Sequence, residues 1–216
     1  MWSLGIGLTI VFGLIIDQFL QPYGQYAVSA FVFGFFGFLI WKSTKEDQRK
    51  WWICLTLATL GEFVLSDLYG LYAYREGFIP LFVPPGHVLL YAAGLWTSAH
   101  LHKSIPWITL SLALIYSGYC LMNGIDQISL IFFALWILMF FKAELRPLIS
   151  TMLIMALAME ILGTGLGNWK WAGEAAFLNL TLTQANPPFA VGVLYCGLDF
   201  LVGVLSRSTQ KTLAGA

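Results

Sequence analysis

The sequence predicts an all-α, polytopic membrane protein with eight transmembrane helices in two parallel four-helix repeats. Three observations carry that expectation. Of the 216 residues, 59% are apolar and only 10% charged, whereas a soluble domain carries about 25% charged residues. Apolar runs long enough to span recur along the whole chain, and a spanning helix needs about 20 mostly apolar residues, with roughly 17 as the lower limit. One pattern also occurs twice. Its first copy reads Glu62-x3-Ser66, Tyr72-x-Tyr74, Pro84-Pro85, Tyr91, and its second reads Glu160-x3-Thr164, Trp169-x-Trp171, Pro187-Pro188, Tyr195. A repeat of this size decides architecture before other signals do.

Taken in order, the spans run over about 3–21, 25–42, 51–70, 84–101, 105–122, 126–142, 147–167 and 187–206. No basic residue precedes the first run, which therefore reads as a spanning helix and not as a cleaved signal peptide. The double prolines suit the first turns of the fourth and eighth helices, with Asn186 as N-cap of the eighth. Offsetting the first four spans by about one hundred residues lands on the second four. The repeats are then 1–102 and 103–216, together forming one integral membrane domain. Each half holds an even number of spans, so the halves share one orientation and their axis runs along the membrane normal.

Charge sets the orientation. Lys42, Lys45, Arg49, Lys50, Lys103, Lys142, Arg146, Arg207 and Lys211 fall on one face, and only Arg75 and Lys170 on the other. Positive charge marks the cytoplasmic side, so both termini are expected there, with a bacterial inner membrane as the default location. The long connections 71–83 and 168–186 then lie on the outer face. Loops of more than about 12 residues are more often functional than ordinary links. Asn179-Leu-Thr181 matches the glycosylation sequon, a match too common by chance to carry weight.

Several classes are excluded. Eleven basic and eleven acidic residues give no net charge and no field for nucleic acid. Cys54, Cys120 and Cys196 lie in apolar runs without C-x-x-C spacing, against a disulfide framework or a cysteine zinc site. His87, His100 and His102 lack zinc-protease spacing. No metal and no cofactor are expected, and the expected partner is a membrane lipid or an apolar small molecule.

Glu62, Glu160 and Asp199 fall deep inside predicted spans. An acid at a helix centre costs about 2.5–3.5 kcal/mol on insertion scales. One reading is a pair of repeat-related glutamates facing each other, sharing a proton and working as acid and base. The other is packing, with Ser66 and Thr164, four residues on, satisfying each glutamate. The copies also differ: Asp199 has no counterpart near Leu95-Trp96, and His87 none near Ala190. One half then supplies His87 and the other Asp199 to a single asymmetric site. His87 is either a proton relay or an interfacial histidine. Tyr72, Tyr74, Trp169 and Trp171 read either as an interfacial aromatic belt or as a cavity wall; in extended chain, alternate spacing points both rings of a pair to one side. Asp67, Arg75, Asn186 and Tyr195 complete the expected binding set, with Glu76 or Asp67 as the partner of Arg75.

The run Glu62, Gly70-Leu-Tyr72-Ala-Tyr74 and Val83-Pro84 resembles motifs of membrane carotenoid 1,2-hydratases, in which a membrane glutamate precedes a G-x-Y-x-Y stretch and a proline-containing helix start. It is also similar to small integral-membrane terpene cyclases. The likeness covers roughly 58–91, with a fainter echo in 156–199. It implies that Glu62, Glu160 and Asp199 donate protons to an isoprenoid double bond. The acidic clusters of magnesium-dependent prenyltransferases are absent from the sequence. The expected function is therefore intramembrane acid–base chemistry (hydration, cyclisation or isomerisation). A small proton-coupled transporter and a non-catalytic lipid-binding subunit are the alternatives.

Overall fold

The computed structural model describes residues 2–177 and 180–214; Asn179 of the sequon and the side chain of Lys211 lie outside them. The helices among the described residues are α1 (Trp2–Phe19), α2 (Gly24–Lys42), α3 (Lys45–Glu62), α4 (Val83–Ser98), α5 (Ile105–Asn123), α6 (Gln127–Phe140), α7 (Arg146–Leu166) and α8 (Ala190–Ala214). Five stretches are long and apolar enough to cross a membrane: Gly24–Lys42, Lys45–Leu68, Ile105–Asn123, Arg146–Leu166 and Ala190–Arg207. α1 and α6 give shorter apolar helices, and α4 has 16 residues. Phe31, Trp107, Ile115, Leu121 and Phe141 are each more than half exposed on the outside. An apolar exterior of this extent suits lipid as its surroundings.

Two expectations need correction. α3 starts at Lys45, not near 51, because Thr44 caps it: the Asp47 N–H donates to Thr44 Oγ1 at 3.2 Å. Glu46 and Asp47 fill the first turn, where the helix dipole favours acids. The chain is also not purely helical. β1 (Tyr72–Tyr74) pairs antiparallel with β2 (Trp169–Trp171), and β3 (Glu174–Phe177) pairs with β4 (Leu180–Thr183).

Local geometry brings β1 and β2 together. A π segment, Phe63–Leu68, extends α3. The chain has one more residue between Glu62 and Tyr72 than between Glu160 and Trp169, and a π bulge takes up such an extra residue. Gly167 then ends α7 at φ 81°. There the Asn168 N–H donates to Gly163 O at 2.9 Å and the Gly167 N–H to Thr164 O at 3.1 Å, a Schellman ending that favours glycine. The chain reverses, and β2 folds back toward the interior.

The β1–β2 ribbon is pinned at that end of the bundle. The Arg75 guanidinium donates to Asp17 O at 3.0 Å and to Gln18 Oε1, and lies 3.4 Å from Asp17 Oδ2. Asn168 Nδ2 donates to Asp17 Oδ2 at 2.6 Å and to Leu14 O at 3.2 Å. Gln184 Nε2 donates to Leu71 O and Ala172 O. α4 is central: Val88 through Ala93 are all buried. It packs against α1, α2, α3 and α7.

Candidate functional site

A cavity of about 610 Å³ lies under the β1–β2 ribbon, within the roughly 300–1,000 Å³ typical of small-molecule sites. Every helix except α5 contributes to its wall. The wall is apolar apart from a few groups at the ribbon, chiefly Glu62, Glu160, His87 and the polar ends of the ribbon rings. Leu135 and Leu138 of α6 and Leu201 of α8 line it and are themselves 49%, 64% and 49% exposed. The cavity therefore reaches the apolar flank of the bundle between α6 and α8.

Glu62, at the last position of α3, is 7% exposed. The Tyr72 hydroxyl donates to its Oε2 at 2.7 Å and the Tyr74 hydroxyl at 2.6 Å. Burial first, and then the carboxylate beside them, hold both phenols above their ordinary pKa, so they remain donors. The other oxygen, Oε1, faces His87 Nε2 at 3.4 Å. His87 Nδ1 lies 3.0 Å from Val83 O. A carbonyl only accepts, so Nδ1 carries a proton, and Nε2 is the ring nitrogen that faces Glu62. Tyr195 stacks on the imidazole, with centroids 4.8 Å apart and planes 8° apart. His87 thus faces inward instead of sitting at a wet interface.

The second half repeats this arrangement in other residues. Glu160 of α7 is 4% exposed, and its Oε2 accepts from Trp169 Nε1 at 2.8 Å and Trp171 Nε1 at 3.0 Å. Gly163, one turn on, makes room for the first indole: a Cβ there would sit 2.1 Å from Trp169 Cη2. Strand register then brings the two pairs of rings together. Tyr72 is opposite Trp171 and Tyr74 opposite Trp169, with centroids 4.5 and 6.1 Å apart. All four rings are buried and line the cavity, while Ala73 and Lys170 are exposed on the other side of the ribbon.

Several sequence expectations change here. Glu62 and Glu160 line one cavity, but each is satisfied by its own aromatic pair, and no hydrogen bond joins them among the described residues. Ser66 and Thr164 do not satisfy them: both hydroxyls donate to backbone carbonyls, Tyr72 O and Glu160 O. Asp199 is buried but is not part of the cavity wall, and neither of its carboxylate oxygens has a partner among the described residues. It lies behind Tyr195, near Cys54, Cys196 and Tyr91. Asp67 is exposed on the π segment, away from the cavity. Arg75 pairs with Glu76 at 3.0 Å and also with Asp17, so its head is turned from the cavity. Asn186 does not cap α8; its Oδ1 accepts from the Trp171 N–H at 2.9 Å.

Two acids escaped sequence reasoning. Asp126, 2% exposed, accepts from the Ala185 N–H and Phe189 N–H at 3.1 Å each and from the Tyr116 hydroxyl at 3.0 Å. Ser129 Oγ takes the Ala190 N–H at 2.8 Å. Together they cap α8, which begins at Ala190 and not at 187, since the N–H groups at its start, of Phe189 and Ala190, are taken by these two side chains. Asp17 anchors Arg75 and Asn168 as described. Both acids sit at helix ends, where hydropathy draws no attention to a charge. Comparison with known protein families, curated proteins and solved structures finds no match to this chain.

Proposed function

We propose that the chain is an intramembrane enzyme doing Brønsted acid–base chemistry on the double bond of an isoprenoid or other lipid substrate. The observation that carries this reading is the contact between His87 Nε2 and Glu62 Oε1 at 3.4 Å inside an apolar cavity. With Nδ1 committed to Val83 O, Nε2 is the ring nitrogen placed to share a proton with Oε1, and the pair faces a space suited to hydrocarbon. A substrate enters from lipid between α6 and α8. The proton moves from the Glu62–His87 pair to one alkene carbon and leaves positive charge on the other. In hydration, water adds to that carbon and loses its proton to Glu160. In isomerisation or cyclisation, a neighbouring C–H proton goes to Glu160 instead. Aromatic rings beside the developing cation stabilise it, and the acid and base come from different halves. Glu62 and Glu160 are the catalytic residues in this reading, His87 shares the proton, and Tyr195 positions His87.

The same geometry supports the two-repeat architecture over 1–102 and 103–216. Each glutamate accepts both of its ring donors on one oxygen. The antiparallel register crosses Tyr72 with Trp171 and Tyr74 with Trp169, as a two-fold axis requires when residue i meets j and j meets i. Helix contacts α3–α4 with α7–α8, α1–α2 with α5–α6, and α3–α8 with α4–α7 exchange under that axis. α1 and α5 break it, since α1 packs on α4 and α7 whereas α5 packs on α7. We place eight spans in a bacterial inner membrane, with the ribbon end outside and both termini cytoplasmic.

The proton-coupled transporter is the second reading, favoured by one specific observation: two repeat-related carboxyls share one central cavity. Lipid extracts from cells with and without the chain separate the two. A substrate–product pair differing by water or by no mass supports the enzyme. That conversion is expected to disappear with Glu62→Gln while the protein stays in the membrane. Conversion that survives both Glu62→Gln and Glu160→Gln ends the acid–base reading, and proton-dependent uptake into proteoliposomes favours the transporter.

A further inference from the structure

The charge balance of the cavity points to the kind of ligand it holds. Two carboxyls, Glu62 and Glu160, sit in one apolar enclosure. No Lys or Arg lines it among the described residues, and His87 is its one basic group there. The nearest candidates face elsewhere: Arg75 is held by Asp17, Gln18 and Glu76, and Lys170 is on the exposed side of the ribbon. Four hydrogen bonds from tyrosines and tryptophans orient the carboxyls, but neutral donors do not cancel charge. The Glu62–His87 pair with its shared proton is neutral, so the charge left over in the enclosure is that of Glu160, and a buried carboxylate without a counter-charge is costly. The aromatic rings around it attract cations through their quadrupoles.

We propose that this cavity is a binding site for a lipophilic organic cation, an ammonium head on an apolar body. The positive centre lies between Glu62 and Glu160 against the four rings, and the body extends along the leucine-lined path between α6 and α8. This deepens the acid–base reading, since such a cation occupies the place of the positive carbon formed in that chemistry. It also stands apart from turnover, because binding requires only the enclosure and its charge.

The test uses the full-length protein in phosphatidylcholine nanodiscs, with saturable binding measured above empty discs. The probes are labelled decyltrimethylammonium and its neutral isostere, in which a quaternary carbon replaces the nitrogen. The wild type is expected to bind one cation per chain, at least about tenfold more tightly than the isostere, a ratio worth about 1.4 kcal/mol. Glu160→Gln reduces that preference, and the double variant with Glu62→Gln loses it. Equal binding of the two probes by the wild type overturns the proposal, as does a preference that survives in a folded double variant. Should the double variant fail to fold, the wild-type comparison decides alone. Substrate conversion that needs Glu62 without any charge preference removes only the cation site. Charge preference without conversion removes only the enzyme reading.

Discussion

Gly163→Ala tests whether ring placement on Glu160 depends on a missing side chain. The new Cβ would lie 2.1 Å from Trp169 Cη2 and 2.2 Å from Cζ2, whereas ordinary contact begins near 3.4 Å. The backbone of α7 is fixed by its helical bonds, so the outer edge of the indole must retreat by about 1.3 Å. Nε1 now donates to Glu160 Oε2 at 2.8 Å, and that retreat takes it beyond the usual limit of about 3.2 Å. A hydrogen bond to a charged group is worth about 1.5–3 kcal/mol, and overpacking adds about 1–3 kcal/mol. The expected loss is therefore about 3–5 kcal/mol. Trp169→Phe removes the same donor together with the outer edge of the ring, and costs about 2–4 kcal/mol. In the Phe background Gly163→Ala is expected to be nearly neutral, which gives a coupling of about 3 kcal/mol in a double-mutant cycle. Unfolding in mixed micelles, followed by circular dichroism, measures all four variants. Additive losses would refute the steric link and leave Gly163 with a helix-packing role only.

Other outcomes follow from the same contacts. Asp126→Ala strands the buried Phe189 N–H, the part-buried Ala185 N–H and one hydroxyl and is expected to cost about 3–5 kcal/mol; Asn186→Ala, which loses one bond, is expected to cost about 1 kcal/mol. The same unfolding assay checks both, and similar costs for the two would place the cap of α8 on Asn186 after all. The raised pKa of Tyr72 and Tyr74 gives stability that is complete below about pH 10, the unfolded value, and is lost only as pH rises through the higher folded values. An ultraviolet titration is therefore expected to leave both of these phenols among the un-ionised ones at pH 11, and Tyr72→Phe and Tyr74→Phe each to lower the number of un-ionised phenols by one. Asp199→Val is expected to be neutral or to stabilise by up to about 2 kcal/mol, since both oxygens lack partners. A drop in its unfolding midpoint would reveal a partner for the carboxyl.

How much of this was legible depended on range along the chain. The doubled pattern of Glu and x-spaced rings lies in the sequence itself, and alternate spacing is what puts both rings of a pair on one side of a strand. The one-residue difference between the Glu62–Tyr72 and Glu160–Trp169 intervals was also present, though without helical geometry it says nothing of a π segment. The pairing of β1 with β2 spans nearly half the chain and leaves no short-range mark, because three-residue strands carry no turn signal between them. Burial of Asp126 and Asp17 was equally hidden. Each is at a helix end that composition reads as wet, and only the assembled fold brings backbone donors, an arginine and an amide to them. Asp199 shows the opposite failure: mid-span position suggested the cavity, but the helix turns it behind Tyr195.

The β1–β2 ribbon ties the two halves to one fate. Extended backbone inside an apolar enclosure must satisfy every N–H and C=O within the protein. A helix does so within itself, whereas a single three-residue strand does not. β1 and β2 pair with each other, while Ser66 Oγ donates to Tyr72 O and the Trp171 N–H donates to Asn186 Oδ1 on their other edges. The ladder continues in Arg75 N–H to Asn168 O at 3.0 Å and Ala172 N–H to Leu71 O at 2.9 Å. Neither strand could fold inward without the other, and the strands are what carry the rings to the glutamates. Removing one half would therefore leave the other with an unsatisfied strand and a buried carboxyl short of its orienting neighbours. The physical reason for a chain of two joined halves is thus visible in one short ribbon: it supplies backbone partners, aromatic walls and carboxyl donors at once, and each half provides what the other lacks. Divergence is then free to act where the ribbon makes no demand, at His87 in one half and Asp199 in the other.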